Sequence, residues 1–517
     1  MKPLAIAVPL IFALSALAAG GAVPSAAAAD EKPIIVGVGA APQSMDPQSA
    51  DVDSNLSAMA NMFEGLVQRD TAGTLKPALA TSWERVDELT WRFHLRQGVK
   101  FHNGNDFTWQ DVKFSFDRIK NPQVSPFSNI GALIASVAPV NGDPWVIDVK
   151  TTQPVPFFVQ MLHQIFIMDQ KSTEQRSPGE VGQTPIGTGP YKFVEWVKGS
   201  YLKMTANEHY WDKAPPVKNA EFRPIAEAST RLAAIASGEI DILQDVPVSL
   251  AKAIERNPQI EMISRPARRS IFLGLGNKPG TPTADLRVRK AMAMAIDEPE
   301  IIQKVMFGHA SLCAQIPDPP TIGYSADIKR LPYDPAEAKK LLTEAGYGNG
   351  FDITLSGPND RYVQDAQIEA TVAAQLSRIG IRVKVDSKPK AVFFPEINQH
   401  KDNFYLIGWF DGSYDYGRTF RQLLHTVDEK AGFGATNGSG YSNPELDKMF
   451  AETEKIIDPE KRAAALAKLN EAAMAQLAVI PLHYQQDDYA VRKDHGIVFT
   501  PRSDTWIVFK DISRKSS

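Results

Sequence analysis

Residues 90–118, TWRFHLRQGVKFHNGNDFTWQDVKFSFDR, combine two crossing strands, a turn and a capped helix in one continuous run. Trp91, Phe93 and Leu95 alternate with polar residues, which is the period of a half-buried strand. Gly98 supplies the positive φ that the following turn requires. Thr108 stands where its side chain can cap the helix. The run therefore predicts an α/β protein in which strands and helices follow one another closely.

The same run carries a specific order of aromatic, basic and glycine positions. It reads as W-x-F-x-L-R-x-G-V-x-F, then a turn H-x-G, then a helix opening T-x-x-D-V. This pattern resembles the extracytoplasmic solute-binding proteins of family 5, the peptide, opine and nickel class that serves bacterial ABC importers. The matching positions are Trp91, Phe93, Leu95, Arg96, Gly98, Val99, Phe101, His102, Gly104, Thr108, Asp111 and Val112.

Further segments extend the resemblance over essentially the whole mature chain. A D-P turn is followed by a helix that ends F-E-G-L, and an N-x-x-Y-W segment precedes a helix and a short strand, STRLAAIASGEIDIL. The positions that carry these matches are Asp46-Pro47, Phe63–Leu66, Asn207, Tyr210, Trp211 and residues 229–243.

The resemblance implies an α/β, two-lobed periplasmic binding protein of the class II-like, Venus-flytrap kind, with an extra subdomain inserted in the first lobe. On this sequence, lobe I comprises residues 30–65, 186–270 and 483–517, the insertion residues 66–185, and lobe II residues 271–482. A chain of 517 residues is long enough to divide in this way. Lobes on a hinge can close around a solute, and the closed shape is what a membrane permease recognises.

Residues 1–29 read as a cleavable secretory signal peptide. Lys2 precedes an apolar run, and small residues lead to Asp30. The apolar run is too short to span a bilayer. The only cysteine, Cys313, lies far downstream, so no thiol near the cleavage site can carry a lipid anchor. These features predict a protein that is free in the periplasm of a Gram-negative bacterium.

The charge pattern narrows the expected partners. The net charge is −4, and neither a basic tract nor aromatic-basic interleaving is present, so nucleic acid is not an expected partner. After the signal segment no apolar run approaches the length of a membrane span, so no membrane insertion is expected. The resemblance implies a small-molecule ligand and the permease subunits of an inner-membrane ABC transporter. We expect a monomer.

An enzyme is the competing class of protein, and its motifs are absent from the sequence. Gly37-Val38-Gly39 and Gly274-Leu275-Gly276 are only fragments of a dinucleotide motif. Neither H-E-x-x-H nor G-x-S-x-G occurs. Asp487 and Asp488 are adjacent acids, but neighbouring residues on a strand point to opposite faces. We therefore expect no catalysis, no cofactor and no bound metal.

Two segments are predicted to contact the solute. In the peptide-binding members, a short segment after the D-P turn contacts the ligand, and here it falls on Asp51, Val52 and Asp53. A second segment follows a G-W pair, where those members place an Asp three positions after the Trp to hold the ligand's α-ammonium group. This sequence has Gly412 there, so plain di- and tripeptides are not expected to be the best ligands.

The loop after the G-W pair offers flat rings and charges of both signs. Such a set suits a peptide, an opine, a sugar-like compound or a related organic molecule. Asp411 could replace the missing acid after a shift of one residue. A nickel-chelate receptor and a periplasmic chaperone or sensor partner remain alternatives, the first because Tyr414-Asp415 resembles a pair found in the nickel subgroup. The predicted contacts of this loop and the hinge are Trp409, Phe410, Asp411, Tyr414, Asp415, Tyr416, Arg418 and Tyr484.

Overall fold

Two long strands join the halves of the molecule and pair with each other in antiparallel fashion. They are Ile260–Leu275 and Val479–Arg492. The computed structural model describes residues 32–515, and the predicted signal peptide lies outside them. Strands of 16 and 14 residues are long enough to contribute to both lobes at once.

The strands of the described residues are numbered in chain order. They are β1 (Ile34–Val38), β2 (Val67–Arg69), β3 (Leu75–Pro77), β4 (Ala80–Arg85), β5 (Thr90–Leu95), β6 (Ile134–Val140), β7 (Asp143–Thr151), β8 (Tyr191–Val197), β9 (Tyr201–Ala206), β10 (Asn219–Pro224), β11 (Ile242–Gln244), β12 (Ile260–Leu275), β13 (Ala310–Leu312), β14 (Asp352–Pro358), β15 (Arg382–Lys388), β16 (Phe404–Trp409), β17 (Val479–Arg492), β18 (Ile497–Val498) and β19 (Ser513–Arg514).

The α-helices are numbered in the same way, and three short 3-10 turns are left without labels. They are α1 (Asp53–Met59), α2 (Trp109–Arg118), α3 (Ser128–Gly131), α4 (Phe158–Met161), α5 (Gln170–Glu174), α6 (Pro178–Val181), α7 (Ala228–Ser237), α8 (Ala251–Glu255), α9 (Leu286–Met294), α10 (Glu298–Lys304), α11 (Pro335–Glu344), α12 (Asp365–Ser377), α13 (Lys390–Ile397), α14 (Tyr416–Leu423), α15 (Pro444–Glu454) and α16 (Pro459–Ala475).

One mixed sheet runs through both halves. Its strand order is β15-β14-β16-β12-β17-β11-β1-β10-β9-β8, and β13 also pairs with β17. The strands β14, β15 and β16 pair in parallel on one side of the two long strands, while β1 pairs in parallel with β10 and β11 on the other. A separate four-stranded antiparallel sheet has the order β4-β5-β7-β6 and belongs to the predicted insertion. The architecture is mixed α/β, as the sequence predicts.

Two large apolar cores lie on either side of the two long strands β12 and β17. The first includes Ile34 and Val36 of β1, extends through the predicted insertion, and ends at Ile512. The second runs from Ile271 to Leu482. We call the parts of the molecule around these cores the first lobe and the second lobe. The exact lobe limits given by the sequence stay a prediction.

The stretch at residues 90–118 folds largely as expected. Thr108 caps α2 together with Asp111 in a capping box. Trp91, Phe93 and Leu95 are buried on β5. The prediction of a second strand is wrong, because only an isolated bridge between Lys100 and Asp106 follows Gly98.

The helix near the start of the chain is shorter than its apolar pattern predicts. The sequence favours a helix over residues 54–66, whereas α1 ends at Met59. The amide of Asn61 binds the C-terminal segment, donating to the Ile507 carbonyl at 2.9 Å and accepting from the Phe509 amide at 2.8 Å. The backbone carbonyls of Asn61 and Met62 accept hydrogen bonds from the amides of Tyr191 at 2.9 Å and Gly189 at 3.0 Å, so they are not used in a longer helix.

The F-E-G-L and Y-W segments meet in one buried cluster. The Glu64 carboxylate accepts hydrogen bonds from the Tyr210 hydroxyl at 2.7 Å, the Trp211 indole at 2.8 Å and the Thr188 hydroxyl at 2.8 Å. Burial raises the pKa of Glu64, and the three donors oppose that rise. The cluster joins the F-E-G-L segment to Thr188, Tyr210 and Trp211, so these motifs stabilise the first lobe.

Candidate functional site

We call the two long strands β12 and β17 the hinge. Their pairing is irregular next to Arg268 and Arg269. On β12 and β17, Pro266 pairs with Gln486 and Ser270 pairs with Tyr484, so three residues of β12 stand opposite a single residue of β17. Such a bulge bends a strand and re-aims its side chains. Arg268 is buried inside the second lobe, whereas Arg269 is only half-buried.

The Arg268 guanidinium forms its hydrogen bonds with groups inside the protein. It forms a bidentate pair with Asp318 at 2.8 and 2.9 Å, donates to the Thr321 hydroxyl at 2.8 Å and donates to the Asp411 carbonyl at 2.9 Å. These partners occupy both terminal nitrogens and Nε, which leaves Arg268 no free face for a ligand. Arg269, by contrast, makes no ion pair in the described residues.

The two lobes touch through Tyr414. Its hydroxyl lies 2.7 Å from the Ser503 hydroxyl of the first lobe. Its ring is covered by the guanidinium of Arg69 at 3.6 Å and that of Arg268 at 3.2 Å from the ring centroid. Tyr414 has φ of 56°, a left-handed conformation that costs energy for a bulky residue. The surrounding contacts hold this strained residue at the point where the lobes meet.

A cavity of about 250 Å³ lies in the first lobe. Most of its lining comes from the end of β1 and the segment after it, from α1 and the residue before it, and from the end of β11 and the residue after it. The lining includes Val52, Asp53, Gln244 and Asp245. A concave site with a few polar groups is the usual form of a small-molecule site.

The first lobe presents carboxylates to this space. Asp51 and Asp53 are exposed to the cleft, yet the surrounding protein raises the pKa of each. Asp245 follows β11 with a left-handed φ of 59°, and burial likewise raises its pKa. Asp53 adds to the rise at Asp51 and Asp245, because like charges disfavour ionisation. The three acids therefore form one acidic wall.

The hinge adds a fourth carboxylate. Asp487 lies on β17, where burial and the nearby Asp245 raise its pKa to about 7. The opposing influences come from Arg265 and Arg269. Its Oδ2 is buried and has no hydrogen-bond partner. A buried acceptor without a donor is costly, so this atom is a candidate ligand contact.

The opposite wall carries guanidinium groups. Arg269 and Arg361 both lower the pKa of Asp53, and Arg418 lowers that of Asp51, so cations of the second lobe and hinge face anions of the first lobe. Arg361 is exposed, with its guanidinium 5.2 Å from the Tyr362 ring centroid. Burial and the neighbouring Arg361 lower the pKa of Arg269. A cleft with acids on one side and guanidiniums on the other suits a solute that carries both charges.

The close packing of Tyr362 requires a glycine at position 408, just before Trp409. Its hydroxyl donates to the Gly408 carbonyl at 3.0 Å. A Cβ at Gly408 would approach the Tyr362 ring to 2.9 Å and the Ile271 side chain to 2.7 Å. Glycine therefore lets β16 pack tightly against the ring, which places Trp409 at the end of the strand. Trp409 is half-buried, and its indole donates to the Thr419 hydroxyl at 3.1 Å.

Of the predicted solute contacts, six residues lie along this cleft or at its edge. Asp51, Val52 and Asp53 are exposed, and Trp409, Phe410 and Arg418 are half-buried. Phe410 lies between two cations, with its ring centroid 5.3 Å from the guanidinium of Arg268 and 6.0 Å from that of Arg269. Their role in solute binding stays a prediction.

Asp411 is present in the loop but its carboxylate is fully used. It accepts from the Ser413 amide at 2.8 Å, the Ser413 hydroxyl at 2.6 Å, the Arg418 guanidinium at 2.9 Å and the Thr419 hydroxyl at 3.0 Å. Burial raises its pKa, but Arg418 and Ser413 outweigh burial and hold it below the usual range. In this structure Asp411 shapes the loop and leaves no free oxygen for a solute ammonium.

Three of the predicted contacts are placed inside the protein, which corrects the sequence-based assignment. Asp415 is buried in an ion pair with Arg462 and caps α14. The Tyr416 ring is buried in the second core, 6.3 Å from the Phe420 ring. The Tyr484 hydroxyl donates to the carbonyls of Gln315 and Pro317. Tyr414 is also buried, but at the contact between the lobes.

Residues that sequence analysis did not select complete the site. Arg361 lies in the segment before α12, Asp245 in the turn after β11, and Asp487 on the hinge strand. The sequence shows Asp487 and Asp488 as adjacent acids, and in the structure the two side chains have different surroundings. Asp488 bonds to Ser264 and lies 2.8 Å from His309 Nδ1. Arg361 and Asp245 belong to no local sequence motif that would identify them as site residues.

The described residues contain neither a candidate metal site nor a candidate membrane span. Among residues 32–515, no group of three or more His, Cys, Asp or Glu side chains is arranged to hold a metal ion. In the same part of the chain, no helix has the length and apolar character needed to cross a membrane. Tyr414 and Asp415, the pair that suggested a nickel chelate, are both engaged in internal contacts.

Comparison with known proteins identifies relatives over nearly the full chain. The family model described as bacterial extracellular solute-binding proteins, family 5 Middle, matches residues 74–431. The glutathione-binding protein GsiB of Escherichia coli O1:K1 is 27% identical over 482 residues, which cover 91% of this chain and 92% of GsiB.

Solved structures share the fold. HbpA2 of Haemophilus parasuis superposes with a TM-score of 0.83 at 22% identity, covering 94% of this chain and all of HbpA2. NikZ of Campylobacter jejuni, solved with Ni(L-His), gives a TM-score of 0.72 at 24% identity and covers 93% of this chain and 99% of NikZ. These neighbours are two-lobed binding proteins, so the architecture predicted from the sequence is confirmed.

Proposed function

Because this chain belongs to the bacterial extracellular solute-binding proteins of family 5, we propose that its cleft captures a zwitterionic, peptide-like solute for an ABC importer. Proteins of this family are the solute-binding components of such importers, and the predicted function is confirmed at that level. The chemical class of the solute is the part of the function that we propose. It rests on the opposed charges of the cleft and on the relatives.

The electrostatic interaction of Asp53 with Arg269 and Arg361 carries the proposal, because both arginines oppose the rise in the pKa of Asp53 that burial causes. Within the described residues these groups form no direct ion pair. A solute with an ammonium group and a carboxylate would bridge them through charge-assisted hydrogen bonds, which are about twice as strong as neutral ones. Closure of the lobes would then remove water and strengthen both contacts.

Glutathione is the representative compound to test first. It is a small peptide with one ammonium group and two carboxylates, and the relatives that match over 91% of this chain bear the name glutathione-binding protein. Its two carboxylates suit a wall that offers Arg269, Arg361 and Arg418. The absence of an acid at Gly412 supports a ligand other than an ordinary dipeptide.

The remaining parts of the proposal concern setting and mechanism. We propose a periplasmic monomer, released by cleavage after residue 29 and without a lipid anchor, that hands its solute unchanged to permease subunits. The absence of catalytic motifs in the sequence supports binding without chemistry, and so do relatives that are binding proteins. Glutathione recovered unaltered after prolonged incubation is the expected result, whereas a converted product would contradict this part.

Calorimetric titration tests the solute class. Purified protein is titrated with glutathione, with the dipeptide Met-Leu and with a nickel–histidine complex. Arg361→Gln should weaken glutathione binding by about 1.5 to 3 kcal/mol, the usual contribution of a hydrogen bond to a charged group. Arg382→Gln is the matched control, since Arg382 is exposed in the same lobe and pairs only with Asp352 and a backbone carbonyl. Equal affinity of both variants, or tighter binding of the dipeptide, would contradict the proposal.

The nickel-chelate alternative receives no support from the geometry of the described residues. A submicromolar affinity for the nickel–histidine complex in the same titration would restore it.

A further inference from the structure

We infer that the solute binds with its ammonium group on Asp487 of the hinge and its carboxylate on Arg269 and Arg361, so that its cationic end points away from the second lobe. This inference rests on the proposed function and adds the polarity of the bound solute. It also assigns a binding role to a residue of the hinge strand.

The unused oxygen of Asp487 follows from the pairing of the two hinge strands. Arg265 on β12 stands directly opposite Asp487 on β17. A cross-strand ion pair would be the ordinary outcome. Arg265 instead donates to the carbonyls of Thr71 at 3.1 Å and Pro501 at 2.9 Å. Its guanidinium therefore ties the first lobe to the hinge and leaves the Asp487 Oδ2 without a donor.

The strand geometry separates Asp487 from its neighbour. Adjacent residues of a strand point to opposite faces, while residues two apart share a face. On one face, Asp488 accepts a hydrogen bond from the Ser264 hydroxyl, and its other oxygen lies 2.8 Å from His309 Nδ1. Gln485 and Asp487 share the other face, and the buried Gln485 Nε2 also lacks a partner. One face of the hinge strand thus offers an unpaired acceptor and an unpaired donor side by side.

Nearby groups make this face selective for a cation. Asp245 follows β11, which pairs with β17, and its left-handed backbone is a strained geometry of the kind found at ligand sites. Asp53 in turn raises the pKa of Asp245. Burial, together with the negative charges of Asp245 and Asp488, raises the pKa of Asp487. A bound ammonium group would relieve that repulsion directly.

The second lobe offers no comparable acceptor. Gly412 has no side chain, and the Asp411 carboxylate already accepts four hydrogen bonds. Asp415 is held by Arg462. The charged groups of this wall that remain available are guanidiniums, which bind a carboxylate. The two walls therefore prefer opposite ends of the solute.

The test combines changes in the protein with changes in the probe. The probes are glutathione, N-acetylglutathione, which lacks the ammonium group, and glutathione monoethyl ester, which lacks the glycine carboxylate. Affinities are measured by calorimetry for the wild type, Asp487→Asn and Arg361→Gln. Asp494→Asn is the control, because Asp494 lies just beyond β17 and pairs with Arg492 outside the cleft.

N-acetylation should weaken binding to the wild type about 10- to 100-fold, the loss expected for one charge-assisted hydrogen bond. In Asp487→Asn that penalty should fall to less than about threefold, while the penalty of esterification stays at its wild-type size. Arg361→Gln should show the reverse, and Asp494→Asn should behave like the wild type. A melting temperature for each variant confirms that it is folded.

The outcomes separate the inference from the proposed function. If the wild type binds glutathione but N-acetylation costs the same in Asp487→Asn, the polarity is wrong and the proposed solute class stands. If Arg361→Gln loses sensitivity to N-acetylation in place of esterification, the solute lies in the opposite orientation. If the wild type binds none of the three probes, the proposed solute class and this inference both fail.

Discussion

Tyr414 of the second lobe and Ser503 of the first lobe share a hydrogen bond of 2.7 Å between their hydroxyl groups. The ring of Tyr414 lies between Arg69 and Arg268, so one side chain joins the first lobe, the hinge and the loop of residues 409–418, which we call the specificity loop. The contact lies beside the cleft, which means that it couples lobe position to the site. Its removal should shift the balance between open and closed forms.

Tyr414→Phe removes this hydroxyl and keeps the ring. We expect a loss of about 0.5 to 1.5 kcal/mol of interlobe attraction, the usual net contribution of one hydrogen bond. Small-angle scattering of the free protein should show a larger radius of gyration. Tyr416→Phe is the control, since the buried Tyr416 hydroxyl has no partner. Identical scattering from both variants would show that the contact does not influence the lobes.

Trp409→Ala tests the predicted specificity loop. The half-buried indole packs partly against the second core and ends β16 at the cleft. We expect binding to weaken by about 2 to 4 kcal/mol, in the range of interface hot spots. Calorimetry gives the affinity, and thermal unfolding checks the fold. Trp145→Ala, which removes a half-buried tryptophan of the insertion, should leave affinity unchanged. A sharp fall in melting temperature with unchanged affinity would make Trp409 a core residue only.

Protonation of Asp487 should make stability depend on pH. Asp245, Arg265, Arg269 and Asp488 are the charged groups that act on it, and its pKa is raised to about 7. The folded state therefore holds this proton more tightly than the unfolded state, whose carboxyl has a pKa of about 4. The stabilising contribution is present in full below pH 4 and is lost as pH rises toward 7.

Asp487→Asn removes this titration. The variant should be more stable than the wild type at pH 8, by about 1 to 3 kcal/mol in urea unfolding, and the difference should shrink at pH 5. Asp494→Asn serves again as the control. A difference that is the same at both pH values would show that Asp487 is ionised throughout this range.

Gly412→Asp adds a carboxylate at the position where the family resemblance predicts an acid. The space is available, because a Cβ there would come no closer than 3.8 Å to Phe410. With the polarity inferred above, the new charge lies beside the carboxylate end of the solute and should weaken glutathione binding about tenfold. Gly412→Asn is the neutral control of equal size. Stronger binding by the aspartate variant would favour an ammonium site in the second lobe.

Local patterns predicted much of the fold because their causes lie within a few residues. Asp334 caps α11 and Asp458 caps α16, and each is followed by proline, a combination that marks a helix start in the sequence alone. The alternation at Trp91 and Phe93 likewise identified β5. Where the prediction was wrong, as at α1, a distant partner decides: Asn61 binds residues more than 400 positions away.

The site was harder to predict because its properties depend on contacts distant in sequence. Asp487 has a free oxygen only because Arg265 donates to Thr71 and Pro501. Tyr416 and Asp415 follow Trp409 closely, yet the start of α14 turns both into the second lobe. The residue types of the loop after the G-W pair indicated a site with charges of both signs. The directions of the side chains, however, follow from packing that no local sequence pattern encodes.

The crystal structure of the protein with glutathione bound tests the central claim most directly. We expect glutathione to be enclosed between the lobes, with its ammonium nitrogen at hydrogen-bonding distance from the Asp487 carboxylate and its glycine carboxylate on Arg361 or Arg269. Glutathione bound outside the cleft, or with its ammonium group on the second lobe, would contradict it.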